Sequence, residues 1–312
     1  MRLRSPDVRF RHLGRFCARL RSVLSRREPH AGPASALGAG LDLGSVPVRI
    51  ISLNAWGGAM FDELAPWLDS CDADILCLQE VTRTPGAGGW TRFDDAERSL
   101  PQRADLLADV RSRLPRHLGL FTASDSGPVL DHEHASRRQD FGLATFVAET
   151  LPIVGMRSEF VHGSYAEHHD RWPADGRPRA ALAVRIFDRS ARRFVTIVNL
   201  HGLRDAQGKA DTPARRAQAE RLADLVADVC QEGDLTVVCG DFNVLPGSET
   251  FRILAKLDLT DLVRDADTRT SRYPKPVRHA SYLLVSDPDA VRRFEIVTAP
   301  EVSDHRALTL DI

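Results

Sequence analysis

From residue 46 onward, short apolar and β-branched runs alternate with polar stretches that contain glycine, proline or asparagine. Runs of this length and composition, bounded by turn signals, are typical of buried β-strands. The predicted strands are 48–53, 74–78, 142–147, 180–187, 194–200, 235–239, 281–285, 294–297 and 307–310. Short turns between several of them indicate antiparallel neighbours, and one parallel sheet could not hold so many strands with so few helices.

Three segments show helical periodicity instead. The clearest is 213–230, where Thr212 can cap the first turn, Pro213 occupies the favoured first position and apolar residues recur on one face. Segments 98–114 and 248–257 show a weaker pattern. Strands that pack on strands, with helices outside them, predict a layered α/β sandwich.

The composition narrows the class of protein. With 312 residues, of which 43% are hydrophobic, the chain can bury a large core, and its length allows one domain or two. A net charge of -1 disfavours nucleic acid as a partner, although a local basic groove stays compatible with one. The cysteines number 5 and have no paired spacing, which fits free thiols in a reducing compartment.

The first 45 residues differ from the rest of the chain. Residues 9–27 are rich in arginine, with apolar residues at helical spacing, and residues 29–45 are small and turn-prone, like a linker. The basic stretch is compatible with a membrane-surface helix, a targeting segment or a poorly ordered tail. We predict a poorly ordered tail and linker at 1–45, followed by one domain at 46–312.

We also expect a cytoplasmic protein. No apolar run reaches the roughly 18 residues that a membrane-spanning helix needs. The N-terminus also lacks the apolar core of a secretory signal.

Residues suited to metal and phosphate chemistry stand at the ends of the predicted strands. They are Asn54, Glu80, His201, Asp241, Asn243, Asp304 and His305. Singly, they have ordinary interpretations: a turn residue for Asn54, a salt bridge for Glu80 and a structural histidine for His201. Together they supply a carboxylate for a hard cation, a base for water and donors for developing charge, which hydrolysis of a phosphate ester requires.

Basic residues near the best helix suggest a site for an anion. Lys209 and Arg215 flank the start of that helix, where backbone N–H groups favour negative charge. Arg179, beyond the His-His-Asp-Arg segment at 168–171, could line a substrate cleft, although a surface loop is the plainer interpretation of that segment. The Asp-His-Glu-His segment at 131–134 contains metal-binding residue types, but its spacing is not diagnostic of a metal site.

Five motifs resemble the endonuclease/exonuclease/phosphatase superfamily, which has the DNase-I-like fold, and they occur in the family order. They are Ser52-Leu53-Asn54, Leu78-Gln79-Glu80-Val81, Asn199-Leu200-His201, Gly240-Asp241-Phe242-Asn243 and Ser303-Asp304-His305. The resemblance covers about residues 46–312. It implies a four-layered α/β sandwich, in which two packed, mainly antiparallel β-sheets are flanked by helices. It also implies hydrolysis of a phosphate ester that depends on Mg²⁺ or Mn²⁺.

The resemblance assigns roles around the metal and the attacking water. Glu80 would be the principal metal ligand, with Asn54 and Asp304 assisting it. Asp241 would orient or deprotonate the water, and Asn243 would hold a phosphoryl oxygen.

The resemblance also assigns roles to the two histidines. His305 would contact the phosphate and stabilise the transition state. His201 would assist the leaving group as a general acid, which favours a phosphodiester substrate over a monoester. The basic residues Lys209, Arg215 and Arg179 are the remaining candidates for binding the substrate phosphate.

One position departs from the family pattern. Members commonly carry an Asp that orients the final histidine, and Ser281 stands at that place here. A hydroxyl can accept from an imidazole N–H but has no charge to stabilise an imidazolium. We predict a metal-dependent phosphodiester hydrolase. The alternatives are a non-catalytic phospho-ligand binding module and a membrane-associated lipid phosphodiesterase that uses residues 9–27.

Overall fold

The computed structural model describes residues 46–95 and 97–312, and their strands form two sheets. The strands are β1 (Arg49–Asn54), β2 (Ile75–Arg83), β3 (Trp90–Asp94), β4 (Ser99–Arg103), β5 (His117–Asp131), β6 (Ser136–Ala148), β7 (Ile153–His162), β8 (Ala166–Glu167), β9 (Arg179–Asp188), β10 (Arg193–His201), β11 (Leu235–Asp241), β12 (Thr260–Asp261), β13 (Ser281–Val285), β14 (Arg293–Ile296) and β15 (Leu308–Asp311). The helices are α1 (Phe61–Ser70), α2 (Leu106–Arg113), α3 (Pro213–Val229) and α4 (Glu249–Leu254). Single 3-10 turns cover Trp56–Gly58, Ala255–Leu257 and Pro288–Ala290.

Both sheets are mixed but mainly antiparallel. The first runs in the order β14-β15-β1-β2-β6-β5-β3-β4, with β8 beside β5, and the second runs in the order β12-β13-β11-β10-β9-β7. Near the middle of each sheet lies one parallel pair, β1 with β2 and β10 with β11. The carboxyl ends of parallel strands meet at one sheet edge, so side chains at the ends of these two pairs are well placed to form a site.

The layers follow from the apolar pattern of the strands. In β2, Ile75 and Cys77 face the core between the sheets, while Leu76 and Leu78 pack against α1 and α2. A strand buried on both faces reads as a continuous apolar run, as this one does. On the second sheet, α3 and α4 form the other outer layer. The predicted sandwich of two sheets flanked by helices is confirmed.

A buried hydrogen bond joins the two sheets behind the strand ends. Gln79 Nε2 on β2 donates to Asn199 Oδ1 on β10 across 2.8 Å, and Asn199 Nδ2 donates to the Leu78 and Ala144 carbonyls across 3.1 Å. Gln79 Oε1 has no partner among the described residues, but the three hydrogen bonds that do form between the sheets admit few alternative packings. They therefore fix how the strand ends of one sheet face those of the other.

All the predicted strands lie within, or overlap, strands of the structure, and the helix predicted at 213–230 is confirmed. Thr212 caps that helix by accepting from the Arg215 N–H, as predicted. The prediction of a helix over 98–114 is wrong in its first half. Residues Ser99–Arg103 form β4, and the helix begins only after Asp105, which accepts from the Ala108 N–H.

The second of the weaker helices is shorter than predicted, because α4 ends at Leu254 and a 3-10 turn follows it. The predicted tail at 1–45, with its basic stretch at 9–27, lies outside the described residues. Among the residues that are described, no helix is long and apolar enough to cross a membrane.

Candidate active site

The two parallel strand pairs end beside each other and carry most of the predicted site. Asn54 ends β1, and Glu80 lies near the end of β2. On the second sheet, His201 and Asp241 are directly paired in the register of β10 and β11. The structure therefore brings together four residues that the sequence predicts from separate motifs.

A β-bulge presents Glu80 to the site. The pairing of β2 with β6 shifts register between Gln79 and Val81, and Glu80 has a φ of 55°. A bulge removes one residue from the ladder and redirects its side chain. Glu80 Oε1 accepts from Asn54 Nδ2 across 3.1 Å and lies 3.7 Å from His201 Nε2.

Two glycines let β10 and β11 approach closely at the site. A Cβ on Gly240, whose φ is 137°, would lie 2.0 Å from the Leu200 carbonyl oxygen. A Cβ on Gly202 would lie 2.3 Å from the Phe242 carbonyl oxygen. Side chains at either position would push the strand ends apart, and with them His201 and Asp241.

Asp241 is buried and held from several sides. Its Oδ1 accepts from the Asn243 backbone N–H across 3.0 Å, and its Oδ2 accepts from Asn54 Nδ2 across 3.0 Å. Burial raises the pKa of the Asp241 carboxyl, against the opposing effect of Arg269 and Lys209, and the Glu80 carboxylate adds to the rise.

The donor set fits a divalent cation. Glu80, His201 and Asp241 each offer one ligand atom, and these atoms lie within 4.8 Å of one another. Two carboxylates this close repel each other, and a cation would relieve that repulsion. Asn54 has its nitrogen toward both carboxylates and its Oδ1 accepting from the Trp56 N–H, so a ligand role would require its amide to turn.

Ser281 occupies the position predicted for it beside His305. Its hydroxyl lies 2.8 Å from His305 Nδ1, and it pairs with Asp241 in the register of β11 and β13. His305 Nε2 lies 3.5 Å from Asp241 Oδ2 and 3.9 Å from Asp304 Oδ1. Burial lowers the pKa of His305 well below its ordinary value, and nearby cationic side chains, Arg269 foremost, lower it further.

His201 is also held neutral. Burial lowers the pKa of His201 well below its ordinary value, and the guanidinium groups of Arg179 and Arg177 act in the same direction. The site therefore has two neutral imidazoles among several carboxylates.

Asp304 has a partner that the sequence did not reveal. Arg269 Nη1 donates to Asp304 Oδ2 across 2.6 Å, and burial raises the pKa of this carboxyl to about 7 against the effect of Arg269. Arg269 lies in an aperiodic loop before β13, where no pattern marks it. Its backbone forms an isolated bridge with His305, which brings the loop to the site.

The three basic residues predicted for phosphate binding all line the cleft above the site, but their surroundings differ. Lys209 is largely buried, and burial lowers its pKa to about 8. Arg215 donates to the carbonyls of Ala210, Leu203 and Gly208, which uses much of its donor capacity to hold the loop.

Arg179 is also tied to backbone. It donates to the carbonyls of Gly202 and Pro178, and burial lowers its pKa to about 10. Asn243, the last predicted phosphate contact, has a φ of 55° and an Nδ2 that lies 3.3 Å from the Gly202 oxygen.

The cleft has a volume of about 670 Å³, and both cationic and apolar or aromatic side chains line it. The cationic ones are Arg98, Arg177, Arg179, Arg204, Lys209, Arg215, Arg269 and Lys275, and the apolar or aromatic ones include Trp56, Phe93, Leu100, Phe141, Leu245 and Tyr273. The two kinds are interspersed, since Arg98 stacks on Phe93, Arg177 on Phe141 and Arg269 on Tyr273. Such a cleft suits an anionic group attached to a less polar moiety.

Two other predicted segments lie outside this cleft. His168 contacts Asp125 Oδ2 at 3.0 Å, and Asp125 accepts from Arg177, so His168 supports the cleft wall from behind. The segment 131–134 forms the turn between β5 and β6 and is largely exposed. It is not part of the ligand cluster found among the described residues.

Comparison with known proteins gives these residues a family context. The model of the Endonuclease/Exonuclease/phosphatase family matches residues 51–305. An inositol phosphosphingolipids phospholipase C from Schizosaccharomyces pombe (strain 972) is 24% identical over 253 residues, which are 74% of this chain and 48% of that protein. The chain therefore spans about half the length of this curated relative.

Solved structures share the fold. The human Nocturnin catalytic domain, solved with a bound sulfate anion, has 20% sequence identity and a TM-score of 0.58, over 85% of this chain and 93% of that one. A mannosyl-6-phosphatase from Bacteroides thetaiotaomicron has 15% identity and a TM-score of 0.57, over 84% of this chain and 98% of that one. Because the sequence identities are this low, these structures show that the fold is shared and nothing more specific.

Proposed function

The chain belongs to the endonuclease/exonuclease/phosphatase family, whose enzymes hydrolyse phosphate esters, and we propose that it is a divalent-metal-dependent phosphodiesterase. The observation that carries the proposal is the meeting of Glu80, His201 and Asp241 within 4.8 Å, next to a cleft lined with cationic side chains. An isolated acidic cluster would repel a phosphate, whereas this one stands beside groups that attract it.

Glu80 and Asp241 would hold the cation, with Asn54 assisting. Mg²⁺ prefers oxygen ligands and Mn²⁺ accepts them too, so either ion could bind these groups and leave the imidazole of His201 free for proton transfer. When bound, the ion would neutralise phosphoryl oxygens and make a coordinated water more acidic. Asp304 would assist through Oδ1, because its Oδ2 accepts from Arg269.

Asp241 would act as the base for the attacking water. Its carboxylate is fixed by two hydrogen bonds, so it needs little reorganisation before reaction. Asn243 would donate its side-chain amide to a phosphoryl oxygen in place of the long contact with Gly202.

His201 would protonate the leaving oxygen of a diester. Free of substrate, its lowered pKa keeps the imidazole neutral. A bound phosphate brings negative charge close to the ring and raises its pKa, so protonation would accompany substrate binding. His305 would donate to a phosphoryl oxygen from Nε2–H, while the Ser281 hydroxyl donates to the unprotonated Nδ1, so the ring stays neutral.

Hydrolysis of bis-p-nitrophenyl phosphate and of p-nitrophenyl phosphate tests this proposal, each with Mg²⁺, with Mn²⁺ and with EDTA. We expect metal-dependent release of nitrophenol from the diester. Asp241→Asn should abolish it, while Asp261→Asn, the same change at a turn carboxylate outside the cleft, should not. Monoester turnover alone would redirect the search to phosphomonoesters, and equal rates in EDTA would refute the metal dependence.

A lipid phosphodiester is a second candidate substrate. The S. pombe relative is named as a phospholipase C, and the cleft lining here includes apolar side chains. Release of a phosphorylated headgroup from phospholipid vesicles would support it. The net charge of -1 gives nucleic acid less support, and we keep a cytoplasmic location as part of the proposal.

A further inference from the structure

Arg269 occupies an unusual position in the cleft. It is only 5% exposed, yet it belongs to the cleft lining. Its guanidinium carbon lies 4.0 Å from the centre of the Tyr273 ring, and its Nη1 donates to Asp304 Oδ2. A carboxylate on one edge and a ring on one face leave the guanidinium little freedom to rotate.

The guanidinium of Arg269 has spare donor capacity. Its Nε is buried and has no hydrogen-bond partner among residues 46–95 and 97–312. Arg215 Nε is likewise buried without a partner among these residues. The difference is that Arg179 and Arg215 each donate to two or more backbone carbonyls, which tie their guanidinium groups to the loops. Leaving a buried charged donor unpaired costs free energy, so such a group is usually completed by a ligand or by water.

The electrostatic surroundings also point to a ligand with negative charge. The positive charge of Arg269 acts on Asp241, Asp304 and His305, which places it beside the reacting groups. An arginine stays charged at any working pH, and its planar donors match phosphate oxygens. At His305 the Nδ1 partner is the Ser281 hydroxyl, so no carboxylate there supports a second fixed positive charge.

We propose that Arg269 is a catalytic residue that donates to a non-bridging oxygen of the substrate's phosphoryl group, with Asp304 and Tyr273 fixing its guanidinium. This inference rests on the proposed function, because it places the phosphoryl group between Arg269 and the strand-end carboxylates. Arg269 then supplies, from a neighbouring loop, a positive charge that the Ser281–His305 pair does not hold. Asp304 acts in this chain first as the residue that positions Arg269.

The test compares Arg269→Ala with Arg185→Ala. Arg185 makes the same kinds of contact, an ion pair with Asp234 at 2.7 Å and a ring contact with Phe194 at 3.9 Å, but it does not line the cleft. We expect Arg269→Ala to lower kcat/KM for the diester about 100-fold, because removing one hydrogen-bond donor to a transition state typically lowers the rate by about that factor. Arg185→Ala should leave kcat/KM within about threefold of the wild type, since it acts on stability alone.

Calorimetric binding of inorganic phosphate in the presence of Mg²⁺ supplies a readout that needs no turnover. We expect Arg269→Ala to weaken this binding about tenfold and Arg185→Ala to leave it unchanged. Guanidinium ion at non-denaturing concentration should restore part of the activity of Arg269→Ala only. If Arg269→Ala does not fold, Arg269→Lys keeps the charge without the planar fork and should still show at least a tenfold fall in kcat.

The two readouts separate this proposal from the proposed function. Suppose that Arg269→Ala folds, binds phosphate like the wild type and still hydrolyses the diester. Arg269 would then have only a structural role, and the phosphodiesterase proposal would be unaffected. If the wild type shows no turnover but binds phosphate in a way that depends on Arg269, the phosphodiesterase proposal is refuted and the phosphate contact of Arg269 is supported. A wild type that binds no phosphate would overturn the assignment of Arg269.

Discussion

The side-chain nitrogen of Asn54, at the end of β1, donates to Asp241 Oδ2, at the end of β11, across 3.0 Å. The same nitrogen donates to Glu80 Oε1 across 3.1 Å. One neutral amide thus holds together two carboxylates that belong to different sheets. It offsets part of the repulsion between them.

Asn54→Asp should make the protein depend on metal for its stability. The change removes the shared donor and adds a third negative charge, so we expect the free energy of unfolding in EDTA to fall by about 2 kcal/mol or more. Saturating Mg²⁺ should raise the melting temperature of Asn54→Asp more than that of the wild type. Asn54→Ala, which adds no charge, is the control. Equal shifts in the three proteins would place Asn54 away from the cation.

Lys209 should set a limit to activity at high pH. Burial lowers its pKa to about 8, so its ammonium is charged below that pH and becomes neutral above it. If it attracts substrate phosphate, kcat/KM should decline as pH rises through about 8. Lys209→Arg keeps the charge at higher pH and should remove the decline, whereas Lys256→Arg, outside the cleft, should retain it. An identical decline in Lys209→Arg would argue that another group titrates.

Ser281→Asp should raise the pKa of His305. In the wild type burial lowers this pKa well below its ordinary value, and the Nδ1 partner is a hydroxyl. A carboxylate at that place stabilises the imidazolium, so NMR of the ring should show a higher pKa than in the wild type. Because the protonated form then persists to higher pH, the pH at which any His305-dependent rate changes should move upward too.

The control for that experiment is Ser281→Ala, which removes the partner without adding charge and should leave the titration near the wild-type position. A higher kcat in Ser281→Asp would show that the missing charge limits the enzyme. A lower kcat would show that the site is built around a serine. An unmoved titration would contradict the geometry of this pair.

Gly240→Ala should be severely destabilising. The added Cβ would lie 2.0 Å from the Leu200 oxygen in a backbone with a φ of 137°, and both effects oppose folding. We expect the free energy of unfolding to fall by about 4 kcal/mol or more, measured with a chemical denaturant. Gly233→Ala, also at positive φ but with nothing within 4 Å, should cost only about 1 kcal/mol. Equal losses would mean that backbone conformation alone, rather than the strand contact, demands Gly240.

The sequence predicts the sandwich and the strand-end residues because both depend on local pattern. An apolar run that stops at Asp241 marks a strand end, and the one that stops at Glu80 marks a bulge where the parallel pairing of β1 with β2 ends. Parallel pairing then brings such positions together. Six strands escaped prediction, namely β3, β4, β5, β7, β8 and β12. The two longest of them show why. Polar residues, including the buried Asp125, interrupt β5, and β7 is an edge strand that is mostly exposed.

Contacts across long loops were beyond prediction for a different reason. The pairing of Arg269 with Asp304 depends on how an aperiodic loop folds back over 35 residues. Lys209 and Arg215 look equivalent in the sequence, yet Arg215 donates to three loop carbonyls and Lys209 to one, that of His279. No propensity or periodicity encodes that difference, because it arises from three-dimensional neighbours.

The hydrogen bond between Gln79 and Asn199 affects the order in which this protein would lose activity and secondary structure during denaturation. Glu80 and Asn54 stand on one sheet and His201 and Asp241 on the other, so catalysis would require the two halves of the sandwich to stay in alignment. A slip of one sheet over the other by an ångström would separate the reacting groups while leaving each strand intact. Enzymatic activity would then be lost early in denaturation, ahead of the circular dichroism of the backbone, and would serve as a sensitive gauge of native tertiary order.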